Sequence, residues 1–166
     1  MSSVRLAALA FLFLACGSPG PTAPASLPPS PTSVGTGSAP ATPSAFAQPA
    51  LSVADSRYGR IIVDGSGRTL YLFDLERDPT PRCYGACAVG WPPLLGSRTL
   101  GVPELNQALI ATVVRKGGSK QLTYSGHPLY FYAGDHSAGD INCQAVTEFG
   151  GGWYVIDVNG NRISTP

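Results

Sequence analysis

His127, His136 and Cys143 fall within seventeen residues of one another, and all three are side chains that ligate copper or zinc. That grouping makes copper or zinc the metal to consider. The only methionine is Met1, so a thioether ligand of the kind copper carriers use is missing from the rest of the chain. A second grouping is acidic. Asp74, Glu76 and Asp78 alternate in "DLERDP", and Asp135 and Asp140 punctuate "DHSAGD". Alternating carboxylates suit a hard cation such as calcium, yet Arg77 interrupts the first loop and neither loop has the D-x-[DN]-x-[DN]-G spacing. Aspartates in loops also cap their own turns, and that is the expected role here. A carboxylate pair for glycan hydrolysis would need one member held protonated in an apolar pocket, and no residue pattern points to such a pocket. The chain has no G-x-S-x-G, H-E-x-x-H, G-x-x-x-x-G-K-[ST] or dinucleotide fingerprint, and no C-x-x-C or C-x-x-C-H. The triplet "GGG" at 150–152 opens no helix, so it is expected to bend the chain before Trp153 rather than to cradle a phosphate.

The N-terminal third is of a different kind. Residues 1–16 carry one cation, Arg5, then an apolar run from Leu6 to Ala15, then Cys16. The run is too short to span a bilayer and has the layout of an export signal. Ending in "LAC", it resembles a bacterial lipoprotein signal, which implies cleavage before Cys16, acylation of that cysteine and a membrane anchor. Phe13 and Leu14 depart from the usual choice before such a cysteine. Residues 17–50 hold nine of the sixteen prolines and no charge, the composition of a disordered Pro/Ser/Ala/Thr-rich tether. Fully extended, such a chain reaches roughly 100 Å at about 3 Å per residue. Folding is therefore expected over 51–166. Acidic and basic residues there are balanced and interspersed, with no basic run, so nucleic acid is not an expected partner. With Cys16 acylated, three cysteines remain in an oxidising compartment, and three pairings among Cys83, Cys87 and Cys143 are open.

The elements that must position these residues are short strands separated by glycine turns. A hairpin is expected from 60–64, the turn 65–67 and 68–74, and a meander from 111–116, 120–124 and 129–135. A final hairpin is expected around Asn159-Gly160. The one helix expected is short, over 103–110, with Pro103 at its start. The fold class is mainly β and antiparallel.

Two phrases in this frame repeat. "LYLFD" at 70–74 and "LYFYAGD" at 129–135 align at an offset of 59 residues, which sets Tyr71 on Tyr130, Phe73 on Tyr132, Gly67 on Gly126 and Glu76 on Asp135. Three inserted residues later, Gly-Trp at 90–91 falls on Gly-Trp at 152–153. The domain is thus expected to be two pseudo-repeated β units, about 58–95 and 111–158, forming a sandwich or barrel-like body. Residues two apart share a strand face, so Tyr71 with Phe73 and Tyr130 with Tyr132 face one side, while Leu70 with Leu72 and Leu129 with Phe131 face the other. Tyr71 and Tyr130 are expected in the core. Phe73 and Tyr132 are balanced between core and a binding platform.

These residues resemble the bacterial secreted-repeat lipoproteins described by a Y-x-[FWY]-x-x-D motif. Tyr130, Tyr132 and Asp135 fit it fully. In the first unit Tyr71 and Phe73 fit, and Glu76 stands where Asp is expected, with Asp74 and Asp78 as alternative acids. The stretch "CYGACAVGWPPLL" at 83–95 resembles the family's C-x-x-x-C followed by Trp-Pro-Pro, and the resemblance implies a Cys83–Cys87 disulfide. It implies no activity, cofactor or substrate. The expectation is a lipid-anchored, extracytoplasmic envelope protein, a non-enzymatic binding or structural module without cofactor. Trp91, Phe73, Tyr132, Asp74, Asp78 and Asp140 would meet an envelope protein or cell-wall component. A redox or metal-handling lipoprotein using His127, His136 and Cys143 is the alternative, and a glycan-acting enzyme the third.

Overall fold

The computed structural model describes residues 51–97 and 101–166. The signal over 1–16, Cys16 and the tether over 17–50 lie outside the described residues. Within the described residues, eight strands form three small antiparallel sheets. Strand β1 (Leu51–Ser56) pairs with β2 (Gly59–Asp64). Strand β3 (Tyr71–Phe73) pairs with β8 (Gly151–Val155), whose other edge carries β7 (Val146–Glu148). The third sheet runs β4 (Ile110–Val114), β5 (Lys120–Tyr124), β6 (His127–Pro128). The mainly β, antiparallel class is what the turn spacing implies.

Two local expectations need correction. The helix expected over 103–110 is only a single 3-10 turn, Gln107–Leu109, capped by the Asn106 side chain accepting from the Ala108 N–H at 3.0 Å. Among the described residues the α-helix is instead Ala86–Gly90, called α1, inside the cysteine loop. At five residues it is too short to show a helical period. The hairpin expected between 60–64 and 68–74 is present but short: Val63 bridges Thr69, the Asp64 N–H donates to the Arg68 carbonyl at 2.9 Å and the Leu70 N–H to the Ile62 carbonyl at 3.3 Å, while the other edge of β2 carries β1, a strand not expected from the sequence. Strand β1 carries only one fully buried side chain, Leu51, with Val53 packed part-buried against the core.

The split of each repeated phrase into two faces holds. Leu70, Leu72 and Leu129 enter an aliphatic core with Leu51, Ile62 and Leu122, and Phe131 packs against it. Tyr71, Phe73 and Tyr130 turn the other way, into an aromatic cluster, and all three are buried.

Candidate functional site: the aromatic clasp

The two phrases meet each other. Tyr71 and Tyr130 are antiparallel bridge partners: the Tyr71 N–H donates to the Tyr130 carbonyl at 2.8 Å, and the Tyr130 N–H returns a bond to the Tyr71 carbonyl at 3.0 Å. Residues equivalent in the repeat are thus hydrogen-bonded to one another, which relates the two units by a local two-fold.

The surrounding side chains obey the same relation. Trp91 and Trp153, the equivalent tryptophans, stack at 4.0 Å between centroids with 6° between planes. Each takes the edge of its own unit's tyrosine, Tyr71 on Trp91 at 5.2 Å and Tyr130 on Trp153 at 5.3 Å. Each also packs on the other unit's second aromatic, Phe73 on Trp153 at 4.3 Å and Tyr132 on Trp91 at 4.8 Å. Offset and edge-to-face contacts of this kind add to burial. Glu148 holds both indoles, accepting from Trp91 Nε1 through its carboxylate at 2.8 Å and from Trp153 Nε1 through its backbone carbonyl at 3.3 Å.

The motif's acids complete the exchange. Tyr71 donates its hydroxyl to Asp135 Oδ2 at 2.7 Å, and Tyr130 donates to Glu76 Oε1 at 2.7 Å. Each tyrosine therefore binds the acid of the other unit. Glu76, not Asp74 or Asp78, is the counterpart of Asp135. Asp74 accepts from the Gly152 N–H and pairs with Arg162 at 3.3 Å, and Asp78 caps the Thr80 N–H and pairs with Arg82 at 3.2 Å on the surface. Asp140 caps the N–H groups of His136 and Ser137.

Burial sets the protonation of the clasp. It raises the Tyr71 and Tyr130 hydroxyls well above the usual phenol range, and their partner carboxylates push in the same direction. Burial also raises Glu76 and Asp135 above the usual carboxylate range, against the donors that favour their ionised forms. Arg115 lowers Glu76 in turn. Arg115 is itself buried, donating to Gln121 Oε1 at 2.5 Å and to the Cys83 carbonyl at 2.6 Å. Nothing in "VVRKGGS" distinguishes it from an exposed hairpin-end arginine, so its role is not legible in the sequence.

The other expected residues are placed as follows. Cys83 and Cys87 are disulfide-bonded, the pairing the resemblance implies. Trp91 and Phe73, expected as contact candidates, are buried inside the clasp, while Tyr132 is half-buried at its edge. His127, expected on the surface of a turn, is half-buried in β6, and His136 is exposed. Cys143 is fully buried. Among the described residues no three His, Cys, Asp or Glu side chains come together as metal ligands, so those three do not form one site. The expected bend at 150–152 belongs to Gly150 alone, with φ +84°. Gly151 lies in β8, where a Cβ would come within 2.7 Å of the Phe73 ring and 2.6 Å of Leu75 Cγ.

The same two-unit organisation emerges from comparison with known families. One family model, described as a secreted repeat of unknown function, matches twice, over residues 52–95 and 111–157. Neither a curated protein nor a solved structure matches the chain.

Proposed function

Because this chain belongs to the secreted-repeat family, which places it outside the cytoplasm, we propose that it is a non-enzymatic binding or structural module of the bacterial cell envelope. On this reading a lipid on Cys16 holds it to the membrane and residues 17–50 are its tether. It needs no cofactor and does not bind nucleic acid.

The observation that carries the reading is the exchange of Tyr71 and Tyr130 between Asp135 and Glu76. The residues that define the repeat are occupied in holding the two units together in the buried interior, with equivalent aromatics stacked around them. A motif buried in this way builds a scaffold, and contact with an envelope protein or cell-wall component then falls to the exposed loops. Asp78, Asp140 and the edge of Tyr132 lie on or beside those loops.

The anchoring is tested with the full chain and its Cys16→Ala variant, expressed in a bacterial host fed a labelled fatty acid. The wild type is expected to carry the label and to fractionate with membranes, and the variant to do neither. Equal membrane association of the two, or an unlabelled wild type, would rule the anchor out.

A further inference from the structure

Of the four rings that donate a hydrogen bond in the clasp, three donate it to a carboxylate. Tyr71 gives its hydroxyl to Asp135 Oδ2 and Tyr130 to Glu76 Oε1, both at 2.7 Å, and Trp91 Nε1 donates to Glu148 Oε2 at 2.8 Å. Asparagine or glutamine would accept the same bonds without a charge. Burying a charged group is the more costly choice, and Asp135 and Glu76 are only 3% and 1% exposed. What a carboxylate adds at these positions is basicity: it can take the proton and keep it, which an amide cannot. Burial strengthens that property, because it raises both acids above the usual carboxylate range.

The same rings form an unbroken path from the surface. Tyr132, half-buried at the edge of the clasp, packs on Trp91 at 4.8 Å. Trp91 meets Tyr71 at 5.2 Å and stacks on Trp153 at 4.0 Å, and Trp153 meets Tyr130 at 5.3 Å. Tyrosine and tryptophan give up single electrons more readily than other side chains except the cysteine thiolate, and ring contact couples them electronically. Cys83 and Cys87, in the loop before Trp91, are joined to each other, so neither is a thiol that would yield an electron first. The path therefore has one entrance, Tyr132, and two equivalent ends, each a phenol already bonded to a base.

We propose that the clasp is a one-electron donor: an outer-sphere oxidant, a radical or a high-valent metal complex meeting the protein at Tyr132, withdraws an electron through Trp91 and leaves the vacancy on Tyr71 or Tyr130. In the net step the oxidant gains the electron and Tyr71 loses it together with its hydroxyl proton. The O–H bond breaks as Asp135 Oδ2 takes the proton, so the products are the reduced oxidant, a neutral tyrosyl radical and a protonated Asp135. On the other branch, through Trp153, the same exchange runs between Tyr130 and Glu76. Before oxidation burial keeps both phenols protonated. An oxidised phenol is a strong acid, so the proton crosses when the electron leaves. The relay goes beyond the scaffold role and holds whether or not the chain is lipid-anchored or meets a macromolecular partner.

The test is flash oxidation of the full chain in detergent by photogenerated tris-bipyridine ruthenium(III), with radicals followed by optical absorbance and electron paramagnetic resonance. N-acetyltyrosinamide under the same flash is the reference for an exposed phenol, whose radicals couple with one another. The wild type is expected to give a neutral tyrosyl radical that outlives the reference at least about tenfold. Tyr71→Phe and Tyr130→Phe together should remove that long-lived species, with the near-ultraviolet dichroism of the tryptophans showing the clasp still assembled. Tyr132→Leu should slow its formation at least about tenfold. In a Tyr130→Phe background, Asp135→Asn still accepts the Tyr71 bond and cannot keep its proton, so it should abolish the radical. Four results overturn the proposal: no radical outliving the reference, the same long-lived radical without the two tyrosines, an unchanged rate of formation in Tyr132→Leu, or the same yield in Asp135→Asn. Should the variants not fold, the identity and lifetime of the wild-type radical decide the matter alone.

Discussion

Trp153→Ala is expected to remove a large share of the domain's stability and to lower its melting temperature steeply. Trp153 is fully buried, stacks on Trp91 and Phe73, receives the edge of Tyr130, and lies in β8, which joins β3 to β7. Removing a buried tryptophan costs about 3–5 kcal/mol, and a domain of this size has only about 5–15 kcal/mol in total. Here the loss falls on both units at once, because the ring touches the motif aromatics of each. Trp153→Phe keeps an aromatic face for Trp91 and should fold with a lowered melting temperature. Thermal melts followed by near-ultraviolet circular dichroism read both. A Trp153→Ala protein that melts within a few degrees of the wild type would show that the indole stack is incidental.

The second large effect is on the response to pH. Tyr71 and Tyr130 have raised pKa values in the folded protein, so the stability they carry is complete below the ordinary phenol range, near pH 10, and declines as pH rises above it. Glu76 and Asp135 are raised as well. Their contribution is fullest below about pH 4 and decreases as pH rises through their folded values, so acid does not loosen the clasp. The exposed Asp78 is lowered by its turn bonds and Arg82 and works the other way, where solvent screening keeps the effect small. The tryptophan dichroism is therefore expected to survive at pH 4.5 and to disappear above pH 10. The last tyrosines should ionise in that same step, as read by phenolate absorbance. Loss of the tryptophan signal on mild acidification, or full tyrosine ionisation with that signal intact, would contradict this assignment of the buried groups.

Much of this arrangement is legible in the residues, and the part that is not has a common cause. The alternation in "LYLFD" and "LYFYAGD" separates Leu70, Leu72 and Leu129 from Tyr71 and Tyr130, because strand geometry sends neighbours to opposite faces. The offset of 59 residues, widened by three inserted residues, aligns the tryptophans that stack. What the offset cannot reveal is that the units trade partners. Tyr130 reaches Glu76 across 54 positions and Trp91 reaches Glu148 across 57, and no local period encodes such distances. Strand β1 and helix α1 escape a local reading for a related reason: β1 takes its order from β2, and α1 sits in a loop closed by the Cys83–Cys87 bond. The metal grouping of His127, His136 and Cys143 is close in sequence and does not form a ligand cluster in space. Glu76 is the instructive residue. It reads as a departure from the family's Asp, and the fold gives it the same role: buried, it accepts from Tyr130 as Asp135 accepts from Tyr71.

The central claim is that the family motif works across the repeat, with each unit's tyrosine held by the other unit's acid. A double-mutant cycle on the full chain tests it directly, using Tyr71→Phe with Asp135→Asn, and Tyr71→Phe with Glu76→Gln as the within-unit control. Hydrogen bonds to charged groups contribute about 1.5–3 kcal/mol, so the cross-unit pair is expected to show a coupling of that order by denaturant unfolding. The within-unit pair should be additive to within about 0.5 kcal/mol. Coupling between Tyr71 and Glu76 with none between Tyr71 and Asp135 would mean that each unit satisfies its own motif, which contradicts the exchange.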